Sequence, residues 1–172
     1  KDKLVDMGYP EEAIRTFKFD PLQHTRGLVI DKRRGRLHYV YAGCIKPNSK
    51  QPIGDRLKPI HEGLSQALTL YAPNEVAIES IFRYKSSESA LRLGQARGVA
   101  ILAAAQTGYT AYEYNPMTIK RTVGAHGKAD KKAVAKMVEM LLGTKIEGPA
   151  DMTDALAIAI CHANHSKMLV GG

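Results

Sequence analysis

The chain has no tryptophan and only 3 phenylalanines among its 172 residues. Its core must therefore rest on Ala, Leu, Ile and Val, and a hydrophobic fraction of 44% supplies enough of them for one domain of ordinary size. Cysteine is also scarce. Cys44 and Cys161 both sit in apolar runs, which excludes a disulfide framework and fits two small buried residues in a reducing cytoplasm. No uncharged apolar run approaches the ~18 residues of a membrane span. The opening KDKLVDMGYPEE lacks the apolar stretch of a signal peptide. Internal repeats and low-complexity tracts are absent. Acids are in short supply too: 17 Asp and Glu face 25 Lys and Arg, a net charge of +8. That surplus points to a polyanion partner.

Residues 1–13 are charged and aperiodic and read as an N-terminal extension. Three β-like stretches follow. Ile14–Asp20 alternates at Phe17 and Phe19, Arg26–Asp31 carries Leu28, Val29 and Ile30, and Arg36–Ile45 alternates at Leu37, Tyr39 and Tyr41. The polar DKRRGR between the last two suits a hairpin turn. KPNSKQPIGD (46–55) is a loop by composition. From Arg56 to Tyr71, Leu57, Ile60, Leu64, Leu68 and Tyr71 recur at helical spacing. EVAIE (75–79) has the form of a short buried strand. SALRLGQARGVAILAAAQTG predicts a long helix rich in small residues, preceded by serines able to cap it and stopped at Gly108. Tyr109–Tyr114 reads as a further strand and Asn115-Pro116 as an N-cap with proline at the first helical position; Lys131–Leu142, with Val134, Met137, Val138 and Leu141 at one-face spacing, and a segment from near Ala150 read as helices. The order β-β-β-α-β-α-β-α-α-α predicts an α/β domain. Its mixed five-stranded sheet joins an antiparallel meander to parallel strands, with helices on both faces, the pattern of the ribonuclease H-like fold.

Acids stand where predicted elements end. Asp20 closes the first strand, Glu79 closes EVAIE, and Asp151 and Asp154 begin the last helix three residues apart, on one face. Four converging carboxylates would hold hard divalent cations, Mg²⁺ or Mn²⁺. Two such ions roughly 3.5–4 Å apart clamp a phosphodiester during in-line attack by water. Taken singly, each acid has a blander reading as a helix cap, a dipole partner or a solvated strand end.

Three segments carry a resemblance. AIESIFRYKSSESALRLGQARGVAI (77–101), YEYNPMTIKRTVGAHGKADKKAV (112–134) and ADMTDALAIAICH (150–162) resemble the bacterial crossover junction endodeoxyribonuclease RuvC family, and SALRLGQARGVAI is the most specific run. The similarity extends over about residues 14–166, leaving 167–172 as a tail. It implies a ribonuclease H-like nuclease domain, a homodimer, and Mg²⁺-dependent paired nicks across a four-way junction, with two ions per site and Mn²⁺ able to substitute. It also implies a RuvA–RuvB branch-migration complex as partner and work in the cytoplasm. Asp20, Glu79, Asp151 and Asp154 fall on the family's four acidic ligand positions. Phe82 falls where an aromatic residue stacks on an unpaired base, and Lys120 and Lys131 where basic residues contact the backbone. One departure stands out. The family's Gly-Ile-Asp-Pro-Gly is here Lys18-Phe19-Asp20-Pro21-Leu22, so a changed cleft beside Asp20 is expected.

Arg83 and Lys85 flank the end of the Glu79 strand, and Lys120, Arg121, Lys128, Lys131, Lys132 and Lys136 crowd one stretch. They are candidates for phosphate contacts, which supply affinity and salt dependence, or form a solvated helix face. His126 lies in the basic loop. His162 is two turns beyond Asp154 and is expected to be neutral and hydrogen-bonded. Two other readings stay open: a ribonuclease H-fold nuclease acting on another branched substrate, and a junction-binding module without cleavage.

Overall fold

In a computed structural model the described residues are 14–20, 25–33, 36–80, 86–124, 131–143, 145 and 150–165. The meander comprises β1 (Ile14–Asp20), β2 (Thr25–Arg33) and β3 (Arg36–Ile45). Then come α1 (Ile53–Tyr71), β4 (Glu75–Glu79), α2 (Ser87–Gln106), β5 (Ala111–Tyr114), α3 (Pro116–Thr122), α4 (Lys131–Leu142) and α5 (Ala150–His165). The described strands lie in the order β3-β2-β1-β4-β5. Pairing is antiparallel for β1–β2 and β2–β3, and parallel for β1–β4 and β4–β5. Thus β1, β3, β4 and β5 all run one way and end at one edge.

The period of two in β4 sorts the core into two layers. Val76 and Ile78 pack with Ile60, Leu64 and Leu68 of α1 and with Ala96, Ala100, Ala103 and Ala104 of α2. Ala77 packs on the opposite side with Ile119, Val123, Val134, Val138 and the run Leu156–Ala163 of α5. Each fully buried Val, Leu or Ile contributes about 1.5–3 kcal/mol. From Leu156 to Ala163, α5 is buried all round, which makes it a central helix rather than a surface amphipath. At Gly63 a Cβ would come within 2.5 Å of Ile45 Cδ1, so glycine lets α1 approach β3. Tyr41 and Tyr71 stack across the same contact, ring centroids 4.5 Å apart.

Local signals place most boundaries. Ser86 caps α2 by accepting from the Ser89 N–H, and Asn115 caps α3 by accepting from Thr118 N–H, with Pro116 at the first turn. Gly108 follows α2 with φ +89°. Several expectations shift, β2 among them, which runs Thr25–Arg33 rather than Arg26–Asp31. Helix α1 starts at Ile53 rather than Arg56, because Pro52 takes the cap position and Ile53 and Gly54 already belong to the first turn. Strand β5 starts at Ala111 rather than Tyr109, whose N–H instead closes α2 by donating to Ala104 O. On α4, Val134 and Val138 point inward as the spacing predicts, but Leu141 is 42% exposed and Leu142 packs on the core in its place.

Candidate active site at the sheet edge

The last paired residues of β1 and β4 are Phe19 and Ile78. The next residue in each strand is an acid, Asp20 and Glu79. Parallel pairing therefore puts the two positions side by side at the common edge. Glu79 is half-buried and shares its face of β4 with Ala77 and Glu75, the face covered by α5. Asp151 and Asp154 are the second and fifth residues of α5. The side chains of Asp20, Asp151 and Asp154 lie outside the described residues. Among those described, no group of three or more His, Cys, Asp or Glu side chains gathers into a metal cluster.

The edge continues into α3, because β5 also ends there with Tyr114 paired to Glu79. Helix α3 carries Lys120, half-buried, and Arg121, exposed. Lys132 and Lys136 are exposed on α4, and Lys131 is its first residue. Phe82, Arg83, Lys85, His126 and Lys128 lie outside the described residues, as do Pro21 and Leu22.

A polar cluster lies along the same face of the sheet, from Glu75 at the start of β4 to Tyr114, the partner of Glu79. His162 is 1% exposed. Its Nδ1 lies 2.7 Å from the Tyr114 hydroxyl, and its Nε2 lies 2.9 Å from Glu75 Oε2. The second contact lies at ion-pair distance. The Tyr112 ring lies against the imidazole, centroids 4.8 Å apart. Burial holds the His162 pKa below its ordinary value, and the Glu75 carboxylate opposes that only in part. The histidine is thus neutral and bonded, as expected from its place on α5. Burial, joined by the charges of Cys161, Glu75 and Tyr112, pushes the Tyr114 phenol up to about 12. Beside it, the buried Cys161 thiol lies 3.4 Å from Thr122 Oγ1, and burial raises its pKa as well, so it is an inert thiol. Glu75, Tyr112 and Tyr114 escaped the sequence reading. The signal was in EVAIE itself, whose period of two puts Glu75 on the same face as Glu79.

This strand order, with helices on both faces of a mixed sheet and a pair of acids at its central parallel strands, defines a ribonuclease H-like α/β protein. Comparison narrows the class. The family model of crossover junction endodeoxyribonuclease RuvC matches residues 17–162, and the chain belongs to that family. It is 44% identical over 160 residues to the crossover junction endodeoxyribonuclease RuvC of Myxococcus xanthus, covering 91% of this chain and 84% of the relative. Against the Bradyrhizobium protein of the same name it is 46% identical over 157 residues, covering 90% and 89%. The Thermus thermophilus RuvC structure superposes with a TM-score of 0.78 at 31% identity, covering 91% of this chain and 96% of that one. A second Thermus structure, in complex with Holliday junction substrate, gives the same score at 29% identity over 91% and 95%. The yeast mitochondrial Holliday junction resolvase Ydc2, at 12% identity and TM-score 0.62, shares the fold.

Proposed function

We propose that the chain resolves Holliday junctions by paired symmetric nicks, in homologous recombination and DNA repair. Asp20, Glu79, Asp151 and Asp154 act as the metal-holding acids. The observation that carries this is the β1–β4 pairing, which ends two parallel strands on adjacent acids. Two carboxylates at neighbouring strand ends repel each other, and a hard cation between them removes that penalty. An all-oxygen donor set fits Mg²⁺, with Mn²⁺ substituting.

The last helix supplies the other two acids. His162 anchors α5 beside Glu75 at the start of β4. The eight residues back to Asp154 span about 12 Å of helix, and the four from Glu75 to Glu79 span about 13 Å of strand. An α5 running antiparallel to β4 would carry Asp154 toward the Glu79 end, with Asp151 one turn further. Asp20, Glu79, Asp151 and Asp154 would hold two such ions, which would supply an activated water and charge stabilisation for the leaving oxygen. The chain's own groups do the rest. The four acids act as ligands rather than covalent nucleophiles. Lys120, Arg121, Lys128, Lys131 and Lys132 neutralise phosphates, with Arg83 and Lys85 nearest the cut. Phe82 stacks on an unpaired base, an interaction worth ~1–3 kcal/mol in single-strand binders.

The enzyme works as a homodimer, with one site for each nicked strand, and receives its junction from a RuvA–RuvB complex. Helix α2 supports the dimer. It exposes Leu91 (63%) and Leu102 (50%), and between them Gly94 and Gly98 have open space where a Cβ would be. Leu102→Glu should shift the protein toward monomer in sedimentation; an unchanged dimer would assign that face elsewhere.

The test is nicking of a synthetic four-way junction against linear duplex, with Mg²⁺, Mn²⁺ or EDTA. Symmetric metal-dependent nicks on the junction alone establish the reading. Tight binding without cuts would favour the junction-binding module, to which Lys18 and Leu22 beside Asp20 already lend support. Nicks on other branched DNA but not on the junction would move the substrate.

A further inference from the structure

The same sheet edge carries a second set of cations. Asp20 pairs with Arg26, and Arg26 pairs with Cys44 of β3. These three positions form one row across the sheet, so Cys44 lies two strand spacings, about 10 Å, from Asp20. One residue beyond Cys44, β3 ends at Ile45, and the chain leaves the sheet at that edge through Lys46 to Lys50. A tight turn shapes this segment: Asn48 Oδ1 accepts from Lys50 N–H at 3.0 Å, and Asn48 O accepts from Gln51 N–H at 3.1 Å. Both lysines are exposed, and among the described residues neither takes part in an ion pair. Between residues 46 and 58 there are four cations, Lys46, Lys50, Arg56 and Lys58, against Asp55 alone. Lys58 is held by Glu62 at 3.9 Å. On the other side of the acids, β5 delivers Lys120 and Arg121 to the same edge. The acid pair is thus bracketed by positive charge on both sides.

We infer that the loop after β3 is a second phosphate-binding ridge, on which Lys46 and Lys50 hold the backbone of a junction arm. The inference rests on the nuclease reading and extends it to residues that the four acids and the α3–α4 cations do not include. A duplex strand rises ~3.4 Å per phosphate along its axis. A ridge starting about 10 Å from Asp20 therefore meets the phosphates roughly two to five nucleotides from the one being cut.

The experiment compares the full chain with a Lys46→Ala/Lys50→Ala variant on a synthetic four-way junction. Affinity is measured across a salt series, with EDTA to prevent cutting. Each phosphate contact adds about 0.9 to the slope of log affinity against log salt, so the variant's slope should fall by about 1.8 and its affinity at moderate salt by roughly tenfold. Neutral methylphosphonates are then placed two to five nucleotides from the cut. They should weaken wild type several-fold and leave the variant unchanged. Unaltered slopes, or methylphosphonate losses equal in both proteins, would overturn the ridge. A wild type that binds the junction yet never nicks it in Mg²⁺ or Mn²⁺ would remove the nuclease reading instead, and the salt slope would still decide the ridge.

Discussion

Glu75 and Glu79 stand at the two ends of β4, on one face, under the same helix. What each meets there differs. Glu75 meets the buried imidazole of His162, with the Tyr114 hydroxyl on the far side of that ring. At the other end, the residue beside Glu79 in the neighbouring strand is another acid, Asp20. One glutamate meets a buried imidazole that makes its burial tolerable, whereas the other stands at a strand end next to a second acid. Residue type alone does not separate a structural acid from a chemical one. What each one meets in the fold does.

Glutamine substitution breaks this comparison most directly. Glu79→Gln should keep junction binding and lower nicking by roughly 10²–10³-fold, the range for removing one group that stabilises a transition state. Glu75→Gln should stay within about tenfold of wild type when assayed well below its melting temperature. Single-turnover nicking under saturating enzyme measures both. Equal losses would mean that the two ends of β4 act as one network.

Stability should show the reverse order. His162→Ala removes the hydrogen-bond partner of the Tyr114 hydroxyl and the companion of Glu75, and it opens a cavity among fully buried neighbours. A cost of about 2–4 kcal/mol follows. In thermal unfolding that is a fall of roughly 5–15 °C, while Glu79→Gln should unfold close to wild type. A His162→Ala protein as stable as wild type would dissolve the pin between α5 and β4.

Protonation probes the same end without mutation. The folded His162 pKa lies below its unfolded value near 6.5. The unfolded chain therefore binds more protons in this window, and the stability contribution, complete above pH ~6.5, is lost as pH falls toward the folded pKa. Tyr114 works in the opposite direction. Its folded pKa of about 12 is above the usual 10, so its contribution is complete below pH ~10 and lost as pH rises toward 12. Melting temperature against pH should fall on the acid side in wild type and flatten there in His162→Gln. An unchanged acid slope in that variant would assign the slope to other groups.

Much of this was legible in the sequence, for local reasons. Alternation in IRTFKFD and RLHYVYAGCI, one-face spacing in α1, the Asn115-Pro116 cap and the Ser86 cap are signals within a few residues of what they predict. The acids at strand ends were legible too, and the family resemblance joined Asp20 and Glu79 to Asp151 and Asp154. What escaped depends on distant partners. EVAIE does not say which of its two glutamates meets His162, because that contact joins residues 87 positions apart. Lys46 and Lys50 read as loop composition until the Asp20–Arg26–Cys44 row put the end of β3 on the same edge as Asp20. The outward turn of Leu141 depends on α4 offering Leu142 to the core instead, a choice of one residue that helical periodicity alone leaves open.

The smallest effect tests how β4 is entered. Helix α1 ends on Ala72, held at φ 40° and ψ 59° while its N–H donates to Leu68 O at 3.0 Å. Pro73 and Asn74 then lead into Glu75. A left-handed conformation costs a residue with a Cβ about 1–2 kcal/mol, and glycine relieves it at this kind of helix stop. A new glycine also loosens the unfolded chain, taking back about 0.4–1 kcal/mol. Ala72→Gly should therefore stabilise by about 0.5–1 kcal/mol, a rise of roughly 2–3 °C in melting temperature. Nicking should not change, because the substitution acts at the Glu75 end and leaves the Glu79 end alone. If the rate falls while stability rises, the entry turn sets the register of β4 against β1, and the two ends of the strand are mechanically coupled rather than separate.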